Sequence, residues 1–338
     1  MALDLDIDRI REVVDEGVRD KVYPGAVWAV GDRSNMAIGM PGVLDPDRPD
    51  EPMRHDTVFD VGALTEVLAV WPVIGSLVED GTLGLDEKLD GFWSQAYGHP
   101  LGRATIRHLL THTAGVPLRA EQPRDIRDGV LHEAVHRPPG EAVEYTDRDA
   151  VVLGQLAEDL CGRSLDVLAA TRVWQPLGMT RTCYGPLPGE TAARCAPTEL
   201  DDATGSRLRG TAHDSPAHLP GGVRGSSGVF SVLPDLAAFL RHLLQPGHGG
   251  ARPGFGPAWV QESLRIRTGD LTPPGGLFWH PAPETDGIWT PHGSPGAGVW
   301  LSPQQGRWAV LLTNELYYTR DPAPIGHIRD AFRSRAFA

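Results

Sequence analysis

The pattern of apolar and polar positions divides the chain into strand-like segments near both ends and helix-like segments between them. The segments "GAVWAVGD" (25–32) and "NMAIGMPGVLD" (35–45) carry small and branched apolar residues broken by turn residues, as paired strands do. Two later segments have the same character, "GAGVWLSP" (296–303) and "RWAVLLTN" (307–314), and an amphipathic helix follows around 323–332. Strands at both ends predict an α/β domain that is discontinuous in sequence.

Between the strands, the apolar positions recur at helical spacing. From Leu64 to Val78 they repeat at steps of three and four and stop before Gly81, which predicts a helix with a glycine end despite Pro72 inside it. Residues 148–162 and 233–245 give the clearest amphipathic helices. We therefore predict a sheet domain of residues 1–83 and 256–338, a mainly helical inserted domain of residues 84–255, and a cleft between them.

The composition excludes some classes of binding partner but says little about the chemistry of the protein. The 338 residues carry a formal net charge of −13 with no basic run, so nucleic acid and anionic membranes are poor partners. The N-terminal segment lacks an apolar run long enough for a signal or a transmembrane span, which predicts a cytoplasmic protein. The three cysteines have no metal-ligand spacing and fit unpaired thiols in a reducing compartment.

Six blocks in order along the chain resemble the serine β-lactamase-like superfamily, which includes class C β-lactamases, D-Ala-D-Ala peptidases and related esterases and transacylases. They are "PMRHDTVFDVGALTEVLAV", "LVEDGTLGLDEKL", "IRHLLTHTAGVP", "PPGEAVEYTDRDAVVLGQL", "VWQPLGMTRT" and "GVFSVLPDLAAFLRHLL". The resemblance implies a β-lactamase-like α/β fold, with an antiparallel sheet flanked by terminal helices and an inserted mainly helical domain.

The first family motif, Ser-x-x-Lys, is matched by Ala63 and Glu66. Residues three apart on a helix are neighbours, so in the family the lysine can take the serine proton as the hydroxyl attacks an acyl carbon. Alanine has no atom that can attack, and the two lysines of the chain, Lys21 and Lys88, lie outside the motif positions. The resemblance thus implies that a Ser-Lys acyl-enzyme cannot form.

The second and third motifs also depart from the family pattern. Tyr145 keeps the tyrosine of Tyr-x-Asn, whereas Asp147 replaces its amide by a carboxylic acid. The Lys/His-Thr-Gly motif aligns with Pro291, His292 and Gly293, and a shift of one residue would place His292 first. Both registers stay open at this point.

Taken together, the three motifs have here lost their cationic side chains and gained carboxylates. Ala63, His292 and Gly293 are candidate ligand contacts. Such a pocket favours a cationic or neutral small molecule over a carboxylate-bearing one. No cofactor or metal is implied. His108 and His112 are four apart, as paired zinc ligands are on a helix, but the pair lacks the glutamate of the zinc-protease motif, so we interpret both as fold-supporting.

These residues favour a non-covalent enzyme. Glu66 would act as base or acid, Tyr145 as its partner or an oxyanion donor, and Asp147 as an orienting group, in an isomerisation, elimination or cyclisation within specialised metabolism. The alternative is a catalytically inactive protein that binds or sequesters a small molecule. An ordinary β-lactamase or esterase is disfavoured by the missing nucleophile, and Ser226 and Ser227 are expected to form a turn rather than replace it.

Overall fold

The computed structural model describes residues 5–116, 135–201, 204–213, 223–245, 255–283, 285–292 and 296–338. Within them, the α-helices are α1 (Ile7–Arg19), α2 (Trp71–Glu79), α3 (Leu89–Phe92), α4 (Ile106–Leu110), α5 (Arg148–Cys161), α6 (Leu165–Ala169), α7 (Gly189–Ala192), α8 (Leu233–Leu243), α9 (Pro257–Ser263) and α10 (Ala323–Ala336). The strands are β1 (Ala26–Gly31), β2 (Met36–Gly39), β3 (Val43–Asp45), β4 (Arg48–Pro52), β5 (Phe59–Asp60), β6 (Cys183–Tyr184), β7 (Val229–Ser231), β8 (His280–Pro281), β9 (Trp289–Thr290), β10 (Ala297–Ser302) and β11 (Arg307–Thr313).

The main sheet is built from both ends of the chain. Its six strands run in the order β2-β1-β11-β10-β9-β8, and each neighbouring pair is antiparallel. The first central strand pairs with the last one, with Ala26 opposite Thr313 and Gly31 opposite Trp308. The prediction of an antiparallel sheet built from two separate parts of the sequence is confirmed.

Both faces of this sheet are covered. Every residue of β1 and β10 is buried, which explains why their sequences are apolar throughout instead of alternating. On one face the terminal helices α1 and α10 supply Ile10, Val14 and Phe332 to a core that includes Trp28 and Trp300. The opposite face belongs to the larger core that also contains α2, α5 and α8. The division into two domains at residues 83 and 255 stays a prediction.

The segment 35–45 differs from the expected simple pairing. Its first part forms β2 beside β1, whereas its second part forms β3, which pairs with β4 in a separate two-stranded sheet. The turn residues Pro41 and Gly42 lie between the two strands, and Gly42 has a φ of +83°, which favours glycine. A third sheet, β5-β7-β6, joins the strand before the central helix to the strand before α8.

The predicted helix after Leu64 is confirmed, but its geometry changes along its length. A 3₁₀ turn over Gly62–Leu64 is followed by a π-helical turn over Glu66–Val70, and only then by α2, which ends before Gly81 at a φ of +78°. Pro72 lies in the first turn of α2 and has no N–H to donate, and the Leu68 carbonyl four residues earlier accepts a hydrogen bond from Trp174 Nε1 at 2.9 Å instead. Residues 62–79 have the length and composition of a membrane span, yet 83% of that window is buried inside the protein, as in the core helix of an α/β domain.

An aromatic cluster holds this central helix in place. The fully buried Trp71 contacts the rings of Phe239, Phe255, Trp259 and Trp279 at centroid distances of 5.0 to 6.3 Å. Its indole N–H donates a hydrogen bond to the Ser263 hydroxyl at 2.9 Å, so its polar atom is satisfied. The cluster therefore joins α2 to α8, α9 and the loop that precedes β8.

Candidate active site

The backbone that carries Ala63 and Glu66 is shaped by the residues just before it. At the end of β5 the Asp60 carboxylate accepts a hydrogen bond from the Gly62 N–H at 2.9 Å, and its second oxygen lies 2.8 Å from His213 Nδ1. Gly62 has a φ of +47°. This turn starts the 3₁₀ segment in which the partly exposed Ala63 lies. The π-helical turn that follows begins at Glu66, and such turns are frequent at functional sites.

Glu66 and Tyr145 meet directly, as the sequence predicted for catalytic partners. The Tyr145 hydroxyl donates a hydrogen bond to Glu66 Oε1 at 3.1 Å, across 79 positions of sequence. The Glu66 side chain lies in the interior, with its residue only 3% exposed. Burial raises the pKa of Glu66 well above its ordinary value of 4.5, and the charges of Asp147 and Asp149 raise it further, whereas the bond from Tyr145 opposes the shift.

Tyr145 remains a hydrogen-bond donor at neutral pH. Burial and then the charge of Glu66 raise the pKa of Tyr145 above its ordinary value of 10. The neighbouring Asp147 immediately precedes α5 and is partly buried, but its side chain does not cap the helix. Its carboxylate acts on Glu66 through charge, which agrees with the prediction that the two lie near each other. Their catalytic roles stay predictions.

His112 is part of the site, which the sequence did not predict. It lies beyond the end of α4 with a φ of +54°, an uncommon backbone conformation for a side chain that is not glycine. Its Nδ1 lies 3.1 Å from an oxygen of the buried Asp149. Its ring stacks on Phe278 at 5.1 Å and meets the edge of Tyr145 at 4.9 Å. The structure places His112 beside Tyr145, and its fold-supporting role stays a prediction.

The paired helical face expected for His108 and His112 does not form. His108 belongs to the capping box at the start of α4, where its Nδ1 accepts a hydrogen bond from the Thr105 N–H at 3.2 Å. The helix ends at Leu110, before His112. Within the described parts of the chain, no group of three or more histidine, cysteine or acidic side chains is arranged to hold a metal ion.

The third-motif register is resolved geometrically in favour of His292. Its ring lies 4.1 Å from that of Tyr145 and 4.3 Å from that of His280, and it meets His112 edge-on at 5.1 Å. Pro291 instead borders a small separate cavity beside Leu64. Gly293, the remaining candidate contact, lies outside the described residues.

Burial keeps two histidines of this cluster uncharged. Burial, and next the proximity of His112, lower the pKa of His292 to about 2 and that of His280 to about 4. Burial raises the pKa of Asp149 to about 6, and its bond to His112 opposes that shift. The site thus combines neutral imidazoles with the carboxyl groups of Glu66, Asp147 and Asp149.

Ser226 and Ser227 take the structural role expected of them. Both are buried in a bend that leads into β7, and α8 begins shortly afterwards at Leu233. Sequence reasoning missed His280 and Asp149. Asp149 had a weak signal, since it lies in the same family-like block as Tyr145, two residues after Asp147. His280 had no signal beyond its residue type.

The buried Glu66 carboxyl gives the stability of the protein a distinctive pH dependence. Between its ordinary pKa of 4.5 and its raised pKa, the unfolded chain has released the Glu66 proton that the folded protein still holds. The free energy of unfolding therefore falls as the pH rises through this interval. In Glu66→Gln no such proton exists, so we expect the variant to gain stability over the wild type as the pH rises from 4.5.

Urea unfolding of both proteins at several pH values between 4 and 8 measures this difference. Exposed Glu12 offers a matched control, since Glu12→Gln should leave the pH dependence of the wild type unchanged. If the free energies of unfolding of the wild type and Glu66→Gln change with pH in parallel, the burial-driven shift of the Glu66 pKa is contradicted.

The family model described as Beta-lactamase matches residues 10–331, nearly the whole chain. The chain belongs to the β-lactamase family. Among curated proteins, this β-lactamase family member is 29% identical over 255 residues to an Escherichia coli K12 protein named "Putative D-alanyl-D-alanine carboxypeptidase", which covers 66% of the chain and 58% of that protein. The chain therefore matches less than two thirds of the length of this relative.

Solved structures agree on the fold of this β-lactamase family member. A class C β-lactamase from Rhodobacter sphaeroides superposes with a TM-score of 0.78 at 19% identity, over 98% of this chain and 100% of that one. A D-alanine carboxypeptidase from Burkholderia cenocepacia gives a TM-score of 0.76 at 18% identity, over 98% and 99% of the two chains. The β-lactamase-like fold predicted from the six blocks is thus confirmed.

These relatives correct the expected function. They are named as carboxypeptidases and β-lactamases, which are hydrolases, and a further neighbour of β-lactamase/D-alanine carboxypeptidase type from Pseudomonas syringae has a TM-score of 0.77. The expectation of a non-hydrolytic isomerisation, elimination or cyclisation in specialised metabolism is wrong on this finding, as is the alternative of an inactive binding protein.

Proposed function

We propose that this β-lactamase family member hydrolyses an amide or ester bond in a small neutral or cationic molecule, with Glu66 as the general base. The observation that carries the proposal is the buried Glu66 carboxyl, hydrogen-bonded to Tyr145 at 3.1 Å and three residues after the partly exposed Ala63. The hydrolases among its relatives support the reaction type. Burial raises the pKa of Glu66 above its ordinary value, which makes its carboxylate a stronger base than that of an exposed glutamate.

The attacking oxygen in this proposal comes from water. The family resemblance places Ala63 and Glu66 on the Ser-x-x-Lys positions, and the methyl group of Ala63 cannot attack a carbonyl carbon. Glu66 takes a proton from water as the water oxygen bonds to the carbonyl carbon. The bond from that carbon to the leaving nitrogen or oxygen then breaks, and the proton passes from Glu66 to the leaving atom.

The other residues of the site position this base. Tyr145 donates its hydroxyl hydrogen to Glu66 and so orients the carboxyl group, while its ring contacts the rings of His112 and His292. Burial raises the pKa of Glu66, and the charge of Asp147 adds to that shift. Tyr145 and Asp147 therefore have positioning roles beside the base.

The charges of the site favour the proposed substrate class. Asp147 and Asp149 carry negative charge beside Glu66, and His280 and His292 are held neutral by burial. A substrate carboxylate would meet like charge here, whereas an amine or an uncharged group would not. The net charge of −13 further argues against nucleic acid as a partner.

Hydrolysis in H₂¹⁸O tests the proposal. Phenylacetyl p-nitroanilide and p-nitrophenyl phenylacetate provide neutral substrates, and the succinyl compounds provide anionic counterparts. We expect turnover of the neutral compounds, ¹⁸O in the carboxylate product, and no acylated protein in intact-mass spectra during turnover. The anionic counterparts should react more slowly. An acylated protein would show that another side chain is the nucleophile, and no turnover of any compound would count against hydrolysis of this class.

A further inference from the structure

His112 contacts the segment that carries Tyr145 on both sides of that residue. Its carbonyl oxygen accepts a hydrogen bond from the Glu144 N–H at 2.8 Å, and its Nδ1 lies 3.1 Å from Asp149 Oδ2. Glu144 directly precedes Tyr145, and Asp149 follows four residues after it, in the first turn of α5. One histidine therefore binds the chain before and after the tyrosine.

Between these two contacts, the ring of His112 packs against the ring of Tyr145. The two rings meet edge to face, with their centroids 4.9 Å apart and their planes at 65°. The imidazole also stacks on Phe278 at 5.1 Å, and the Phe278 N–H donates a hydrogen bond to the Leu110 carbonyl at 2.7 Å. Tyr145 thus packs on a side chain that is itself held by an aromatic ring and a carboxyl group.

The backbone of His112 is in the left-handed region, at a φ of +54°. This conformation is unfavourable for a residue with a Cβ atom and persists where surrounding contacts impose it. The bond to Glu144, the contact with Asp149 and the packed rings are such contacts. Strained residues cluster at functional sites, and this one lies against the tyrosine that binds Glu66.

The Asp149 carboxyl group is buried, with its residue only 1% exposed. Oδ2 faces His112, whereas Oδ1 is buried and has no hydrogen-bond partner among the described residues. A buried carboxyl group with an unpaired oxygen destabilises a fold, and such groups are concentrated at functional sites. The contact that this group does make fixes the orientation of the His112 ring.

We infer that His112 and Asp149 are positioning residues that hold the Tyr145 hydroxyl against Glu66. That hydroxyl lies 3.1 Å from Glu66 Oε1, so a shift of the tyrosine ring would break the bond that orients the base. His112 acts through its ring contact with Tyr145, whose own proton is donated to Glu66. The effect on catalysis rests on the proposed function, whereas the bond between Tyr145 and Glu66 can be followed without turnover.

Two substitutions of Asp149 isolate this effect. Asp149→Asn and Asp149→Leu both remove the negative charge, but only asparagine can still form a hydrogen bond with His112 Nδ1. ¹³C NMR of protein labelled at its glutamate carboxyl carbons follows the titration of Glu66, whose signal is the one missing in Glu66→Gln. Because the bond from Tyr145 lowers the pKa of Glu66, we expect a higher Glu66 pKa in Asp149→Leu than in Asp149→Asn.

The same pair in a Tyr145→Phe background shows whether the effect passes through the tyrosine. A direct effect of leucine on Glu66 would persist without the tyrosine hydroxyl, whereas a positioning effect should disappear, so we expect equal Glu66 pKa values there. Asp159 provides the matched control, since it lies on the same helix and accepts a hydrogen bond from Trp93 Nε1 at 2.8 Å. Asp159→Asn and Asp159→Leu should titrate Glu66 alike.

Steady-state kinetics on a hydrolysed ester or anilide give a second measurement. In Asp149→Leu we expect kcat at least about tenfold below that of Asp149→Asn, because a misplaced base loses its alignment with the reacting water. The KM should be the same in both variants, since neither substitution changes a substrate contact. Equal kcat values in the two variants would remove the catalytic part of the inference.

The outcomes separate this inference from the proposed hydrolysis. The titration decides the positioning role even if no ester or anilide is hydrolysed, a result that would count against the proposed function alone. The inference is overturned if Glu66 has the same pKa in folded Asp149→Asn and Asp149→Leu, or if their difference persists in the Tyr145→Phe background. Should Asp149→Leu fail to fold, Asp149→Ala takes its place, because it removes the carboxyl group without adding bulk.

Discussion

Replacing Glu66 by glutamine is expected to lower kcat for the hydrolysed ester or anilide by about 10²- to 10⁴-fold, the usual contribution of a general base. Glutamine keeps the size of the side chain and can still accept the hydrogen bond of Tyr145, so the site should keep its shape. It cannot take a proton from water. The KM should change little, because the loss concerns the reacting proton and not substrate contacts.

Steady-state kinetics across pH 5 to 9 provide the check. In the wild type, kcat should rise with pH as Glu66 loses its proton, at a pH above the ordinary 4.5 of a glutamate because burial raises its pKa. Glu66→Gln should lose this rising limb. The exposed Glu12→Gln serves as the control and should keep the full rate. Undiminished kcat in Glu66→Gln would remove Glu66 from the reaction.

Replacing Trp71 by alanine is expected to lower the free energy of unfolding by about 3–5 kcal/mol, the usual range for deletion of a large buried aromatic side chain. Trp71 is fully buried among Phe239, Phe255, Trp259 and Trp279, and its N–H is bonded to Ser263. The substitution leaves both a cavity and an unpaired Ser263 hydroxyl. Urea unfolding with the midpoint and slope fitted separately measures the loss.

The exposed Tyr97 offers the matched control for this prediction. Its side chain is 81% exposed, so Tyr97→Ala should change the free energy of unfolding by no more than about 0.5 kcal/mol. A loss below about 1 kcal/mol in Trp71→Ala would mean that neighbouring rings close the space, and that the aromatic cluster does not fix the central helix.

The sequence predicted the regular elements well because their apolar periods reflect burial directly. The strands at 26–31 and 307–313 and the helices at 148–161 and 233–243 lie where apolar spacing placed them. The π-helical turn at Glu66 was beyond prediction, since it inserts one extra residue per turn without changing which residues are apolar.

The candidate site was predicted only where family motifs mark it. The sequence predicted that Glu66 and Tyr145 act together because the motif positions converge in the family fold. In the structure the Tyr145 hydroxyl lies 3.1 Å from Glu66 Oε1. His280 and the His112–Asp149 contact depend on how loops pack after the chain has folded. Neither spacing nor residue type reveals such contacts. The reaction type was predicted wrongly because missing groups were taken as a sign of a different reaction.

The pairing of β1 with β11 has a consequence for synthesis on the ribosome. The centre of the main sheet can form only after Thr313, which pairs with Ala26, has left the ribosome. At typical rates of about 5–20 residues per second, the early apolar strand stays without its partner for tens of seconds. During that time β1 is an uncovered edge that can pair with other nascent chains, so overproduction should place heavy demand on chaperones that shield apolar segments.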